Sequence, residues 1–153
     1  MLAEQGDRRS VIVAAARRLL ERAGPEALTM RRLAAELGIQ APSLYKHFPD
    51  KAALEDALAL EASAELGRLL GVWSLERGAD LTRLARGYRR FAREHRHLLP
   101  QLAPTSEAVE ALSELAGGPD RSLAFLAMAG GLARLDAGDG AWQEGVLAFQ
   151  KRV

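Results

Sequence analysis

Between Thr29 and Lys51 the chain reads TMRRLAAELGIQAPSLYKHFPDK, and Gln40, Ser43, Tyr45, Lys46 and His47 crowd into eight of those positions. They bring an amide, two hydroxyls, an ammonium and an imidazole. Groups of this kind read base edges in a DNA groove or hold a backbone phosphate. No comparable grouping points to catalysis. There are no cysteines, which excludes disulfides, thiolate nucleophiles, iron–sulfur ligation and Cys-rich zinc sites. A phosphate-binding loop is absent, as is any recognisable pairing of nucleophile and base. Glu94 and His97 have the spacing of half a carboxylate di-iron site, but no second Glu-x-x-His occurs, and His95 and His97 splay onto different helix faces. The expectation is a protein that is not an enzyme, with no catalytic residue, cofactor or metal.

The elements that must position the polar cluster can be read from spacing. Thr29 is a good N-cap for a short helix ending near Leu37. Gly38 then supplies a turn, and Pro42 suits the first turn of a second short helix covering about Ala41 to His47. Two short helices across a tight turn make a helix-turn-helix. Leu33, Leu37, Ile39 and Leu44 are spaced to form its small core, and Ala34 allows close approach. A preceding helix from Ser10 to Ala23 carries Ile12, Ala15, Ala16, Leu19 and Ala23 on one stripe and ends at Gly24 and Pro25. Asp50 can cap a longer helix, Lys51 to about Leu70, with Leu54, Leu58, Ala62, Leu66 and Leu69 on one face. Residues 71–80 read as a connection.

Beyond it, Leu81, Leu84, Ala85, Tyr88, Phe91, Ala92 and His95 form one apolar face, opposite arginines that read as a solvated side. Further helices are expected from Thr105 or Ser106 to Leu115, from Pro119 onward, and around Trp142, Val146 and Phe149. Leu123 to Ala133 is apolar on nearly every side, which favours pairing across a two-fold axis. No strand-like alternation appears. Hydrophobic residues at 48% and charged residues at 27% describe a folded chain, and abundant Ala, Leu, Arg and Glu favour helix.

The net charge of +1 hides an asymmetry. Residues 1–51 carry nine Lys or Arg against six Asp or Glu, whereas the remainder carries twelve against fourteen, so the basic balance lies where the polar cluster is. No apolar window is long enough to span a bilayer, and the polar start, Met1 to Arg9, has no signal-peptide pattern. A cytoplasmic protein without membrane contact is expected.

The run from about Val11 to Leu58, with AAARRLLERAG, LTMRRLAAELGI and LYKHFPDKAAL, resembles the DNA-binding domain of the tetracycline-repressor (TetR) family of bacterial regulators. ADLTRLARGYRRFAREHRHLLPQL (residues 79–102) is similar to the start of a regulatory domain in one branch of that family. The resemblance implies that Gln40, Ala41 and Ser43 face the major groove, that Pro42 presents backbone and ring carbons there, and that Lys46 and His47 lie along the same edge. It further implies that Tyr45 touches a phosphate, that Arg31 reaches a base or phosphate, and that Lys51 and the start of its helix hold a phosphate. Thr29 would cap its helix and offer its backbone N–H to the DNA backbone.

The expected fold is all-α, with a three-helix domain containing the helix-turn-helix at 1–50 and a helical ligand-binding and dimerisation domain at 51–153, joined by the helix 51–70. The expected function is a sequence-specific, ligand-responsive repressor that binds a palindromic operator in double-stranded DNA as a homodimer. The alternative is a small-molecule-binding or protein-interaction protein that retains the motif without binding DNA. Tyr88, Phe91, His95, Phe125 and Met128 are the expected contacts for a small apolar or amphipathic effector. Leu123, Leu126, Gly130, Trp142, Val146 and Phe149 are the expected dimer contacts.

Overall fold

A computed structural model describes residues 2–151, with side chains from Arg8 onward except Gln101. Eight α-helices follow one another: α1 (Leu2–Ala23), α2 (Met30–Glu36), α3 (Ala41–Tyr45), α4 (Lys51–Leu75), α5 (Leu81–Glu94), α6 (Ser106–Ala116), α7 (Pro119–Arg134) and α8 (Asp139–Gln150). Short 3-10 turns lie at Pro25–Ala27 and Leu99–Gln101, and no strand occurs among the described residues. No described helix is long and apolar enough to cross a membrane. Two compact units result, Met1–Leu60 and Glu61–Val153.

The first unit is built on the stripe of α1. Ile12, Ala15, Ala16 and Leu19 are buried, and Leu28, Leu33, Leu44, Phe48, Leu54 and Leu58 close the same core with no more than 1% exposure each. Fully burying a leucine or phenylalanine is worth about 1.5–3 kcal/mol, so these six side chains dominate the stability of a sixty-residue unit. Some details differ from what the spacing predicts. Helix α1 starts eight residues before Ser10, Ala23 at its end is exposed, and Leu37 and Ile39 are only half-buried. Phe48 lies in the expected Pro-containing break between α3 and α4, and is fully buried there.

In the second unit α5 sets the order. Asp80 caps it by accepting a hydrogen bond from the Arg83 amide at 2.7 Å, and Leu81, Leu84, Ala85, Tyr88, Phe91 and Ala92 all turn inward. Helices α7 and α8 pack on that face and on each other, and α6 packs on α7. Helix α4 runs five residues past Leu70, shrinking the expected connection to 76–80. Its glycines mark close approach and not a break. A Cβ at Gly67 would lie 2.7 Å from Thr105 Oγ1, and one at Gly71 would touch the Ala111 methyl at 3.9 Å. A side chain at Gly67 would therefore push α6 away, which outweighs the roughly 1 kcal/mol that glycine costs inside a helix.

Candidate nucleic-acid interface

Helix α2 begins where Thr29 Oγ1 accepts from the Arg32 amide at 3.2 Å. It ends at Leu37, and Gly38 makes the turn with φ +65°, a conformation that a Cβ would strain. The turn is closed by backbone bonds from the Gly38 amide to Ala35 O (3.1 Å) and from the Ile39 amide to Ala34 O (3.0 Å). Gln40, in extended conformation, then starts α3, and its carbonyl accepts from the Ser43 amide at 2.9 Å. Leu44 is the buried anchor of α3, which leaves the other side of this helix to solvent.

On that open side stand Gln40, Pro42, Tyr45 and Lys46, with Ala41, Ser43 and His47 half-exposed beside them. Tyr45 is 49% exposed, a large aromatic surface with a free-standing hydroxyl. Arg31, Arg32 and Lys46 are exposed, and no carboxylate lies within ion-pair distance of them among the described residues. Nearby cations are already partnered: Arg22 with Glu36 at 2.9 Å and Lys51 with Glu55 at 3.3 Å. Exposed pairs of this kind are worth about 0–1 kcal/mol, so Lys51 can exchange its partner for a phosphate.

Two of the groups expected to meet phosphate already have partners within the chain. The Thr29 amide already donates to Ala27 O at 3.0 Å, so it cannot also serve the DNA backbone, although the Thr29 hydroxyl can. The start of α4 is capped by Asp50, whose carboxylate accepts from the Ala53 amide at 2.8 Å. That carboxylate lies at the positive end of the helix dipole, with the Lys51 ammonium beside it.

One positioning residue escaped the spacing argument. Arg9 Nη1 donates to the His47 carbonyl at 2.6 Å, and its guanidinium lies over the Phe48 ring, 4.1 Å from the centroid. It ties α1 to the residues that follow α3, thirty-eight positions away. Its place in the polar start of a helix gave no sequence signal of this.

The second unit holds a cavity of about 250 Å³ whose walls include Ser63, Leu66, Tyr88, Leu126, Gly130 and Arg134. Of the side chains expected to meet a ligand, Tyr88 borders it. Phe91 is buried and stacks on half-buried His95 at 4.4 Å, and Phe125 is buried edge-on to Phe149 at 5.6 Å, so these rings serve the core. Met128 is half-buried, lying 3.4 Å from where a Cβ of Gly145 would be. A wider cleft of about 480 Å³ is lined by Arg89, Arg93, Arg96, Arg134, Asp136 and Trp142, among others.

The expected pairing residues divide. Leu126, Gly130, Trp142 and Val146 are buried within the unit, where Trp142 meets Tyr88 at 6.4 Å between ring centroids. They are core, because α7 and α8 use these faces against α5. Phe149 is half-buried under the Arg121 guanidinium. Leu123, 45% exposed, is the one of the six that faces outward, and Leu147 on α8 is 53% exposed.

Comparison with known proteins bears on the same segments. A sequence model described as bacterial regulatory proteins, tetR family, matches residues 12–58. The tetracycline repressor protein class C of Escherichia coli is 53% identical over 51 residues, which are 33% of this chain and 23% of that one. Matches of this kind span only about a quarter of the curated relatives' length. A variant of TetR from Acinetobacter baumannii AYE, solved in complex with minocycline, is 30% identical and superposes over 83% of this chain and 69% of that one, with a TM-score of 0.62. A TetR-family transcriptional regulator from Pectobacterium atrosepticum has the same fold over 100% of this chain and 95% of that one, at 22% identity and a TM-score of 0.78. With the matched helix-turn-helix and a relative covered over two thirds of its length, the chain belongs to the TetR family of bacterial regulatory proteins.

Proposed function

We propose that this chain is a sequence-specific DNA-binding regulator, acting as a ligand-responsive repressor on a near-palindromic operator. The observation that carries this reading is the outward face of α3. Gln40, Ser43, Tyr45 and Lys46 stand over a core of Leu33, Leu44 and Phe48 that holds the helix rigidly from below. Gln40 and Ser43 are the groups suited to base edges, while Tyr45, Lys46, Arg31 and Lys51 suit phosphates. Duplex DNA as the partner sets the cytoplasm as the place of action.

A palindrome requires two copies, with recognition helices about 34 Å apart to enter successive major grooves. The face available for pairing is the outward one of α7 and α8: Leu123, Ala124, Ala127 and Gly131 on the first, and Ala141, Leu147 and Ala148 on the second. Small side chains spaced three and four apart let helices of two copies approach closely. Release from DNA follows when an effector favours a different separation of the α3 helices. Switching from 1:99 to 99:1 takes about 5.5 kcal/mol of differential affinity.

Selection from a random DNA pool tests the reading. A short near-palindromic sequence should be enriched, and Tyr45→Ala combined with Lys46→Ala should weaken its binding at least ten-fold. Lys51→Ala should weaken all sequences alike and flatten the dependence on salt, whereas Gln40→Ala should change which bases are preferred. Failure of any sequence to be enriched would overturn it.

A further inference from the structure

We infer that the 250 Å³ cavity of the second unit takes a small apolar molecule ending in a carboxylate or similar oxyanion. The inference rests on the regulator reading for its consequence, release of DNA, but on the cavity alone for its chemistry.

The walls are mostly aliphatic, from Leu66, Leu102, Pro104, Ala108, Leu126 and Ala127. Three polar side chains break them, and each one offers a hydrogen. Ser63 Oγ accepts from the Ala103 amide at 3.2 Å, which leaves its O–H to donate. The Tyr88 hydroxyl has no hydrogen-bond partner among the described residues. Arg134 donates from Nη2 to the Leu102 carbonyl at 3.3 Å, which leaves most of its fork uncommitted.

Gly130 brings two of these together. Arg134 Nη1 and Tyr88 Oη each lie 3.2 Å from the point where a Cβ at Gly130 would sit, so both groups flank one bare stretch of α7. Among the described residues no Asp, Glu, His, Asn or Gln lines the cavity. A site with a guanidinium and two hydroxyl donors, and no acid to satisfy them, asks for an acceptor carrying negative charge. Burial holds the Tyr88 phenol above its ordinary pKa, which keeps it a donor.

Size narrows the class. At about 30 Å³ per water-sized group, 250 Å³ accommodates a ligand of on the order of ten non-hydrogen atoms. The scale is that of hexanoate or benzoate.

Ligand-observed NMR titrations of the full chain at pH 7 compare hexanoate and benzoate with hexanamide and benzamide, which match them in shape but carry no charge. The carboxylates should bind at least ten-fold more tightly than the amides. Arg134→Gln should erase that preference, and Tyr88→Phe should reduce it several-fold while leaving the cavity volume intact. Arg93→Gln, in the wider arginine-lined cleft, should change nothing. Equal binding of amides and carboxylates, no binding of any probe, or loss of preference through Arg93 instead of Arg134 would each overturn the assignment. DNA binding by the same samples is measured separately. If operator binding is intact and no carboxylate binds, the cavity assignment falls alone. If carboxylates bind and no DNA sequence is selected, the regulator reading falls and the cavity chemistry stands.

Discussion

Replacing Arg9 by leucine isolates a contact that acts on α3 without belonging to it. The guanidinium gives the His47 carbonyl a charge-assisted hydrogen bond at 2.6 Å and covers the Phe48 ring at 4.1 Å. In general such a hydrogen bond contributes about 1.5–3 kcal/mol, less at an exposed site like this, and an exposed cation–π contact about 0.5–1 kcal/mol. Ordering the arginine costs up to about 2 kcal/mol of side-chain entropy. The net loss expected for Arg9→Leu is therefore about 1 kcal/mol, or roughly 4–8 °C in the melting of a sixty-residue unit. Hydrogen exchange reads the effect locally. The amides of His47 and Phe48, which both donate to the Leu44 carbonyl, should lose protection first. Operator affinity should fall with the population of ordered α3, while the slope of log affinity against log salt stays unchanged, because no phosphate contact has been removed. The reasoning fails if stability and exchange are untouched and the salt slope drops by about 0.9, which would make Arg9 a phosphate ligand instead of a brace.

Two further outcomes test the second unit. Leu123→Arg with Leu147→Glu places charges on the outward faces of α7 and α8 while leaving the buried Leu126, Trp142 and Val146 alone. Light scattering should show a monomer with near-normal helix content, and a persistent dimer would refute the pairing face. Burial, partly offset by nearby Arg134, raises the Tyr88 pKa above 10.0, so above about pH 10 the unfolded chain releases a proton that the folded chain keeps. Stability must fall as pH rises through that range, and Tyr88→Phe should make the fall shallower by alkaline denaturation. Identical slopes in the two proteins would contradict a buried, neutral Tyr88.

The first unit was largely legible because its information is local. Thr29, Gly38 and Pro42 each act on the backbone within three residues, and the cap, the positive φ and the first-turn proline stand where their chemistry demands. Leu33 and Leu44 follow from the same spacing. Phe48 and Arg9 did not, since a residue after a helix is sent inward or outward by whatever packs there, and here Arg9 and Phe48 are thirty-nine residues apart.

The second unit shows why apolar helices read poorly. A run such as Leu123 to Ala133 declares that it avoids water without saying what covers it. In α7 the inward side, Phe125, Leu126, Ala129 and Gly130, meets the chain's own helices, and the side carrying Leu123, Ala124 and Ala127 is left open. Both sides are apolar, so composition could not assign one to the core and the other to a partner. The arginines of α5 pose the converse problem. Their spacing marks a polar face, yet Arg83 pairs with Glu76, Arg89 with Asp139, and Arg90 lies over Trp73, while Arg89 and Arg93 line a cleft together with Arg96, just beyond the helix, and Arg134. A charged face becomes a site only where another element brings it a wall, and for Arg134 that element is α5, whose Tyr88 meets it over the bare α7 backbone at Gly130. The i, i+4 spacing of Gly130 and Arg134 can be read within α7, but the arrival of Tyr88 from α5, forty-two residues earlier, cannot be expressed by any spacing rule within a single helix.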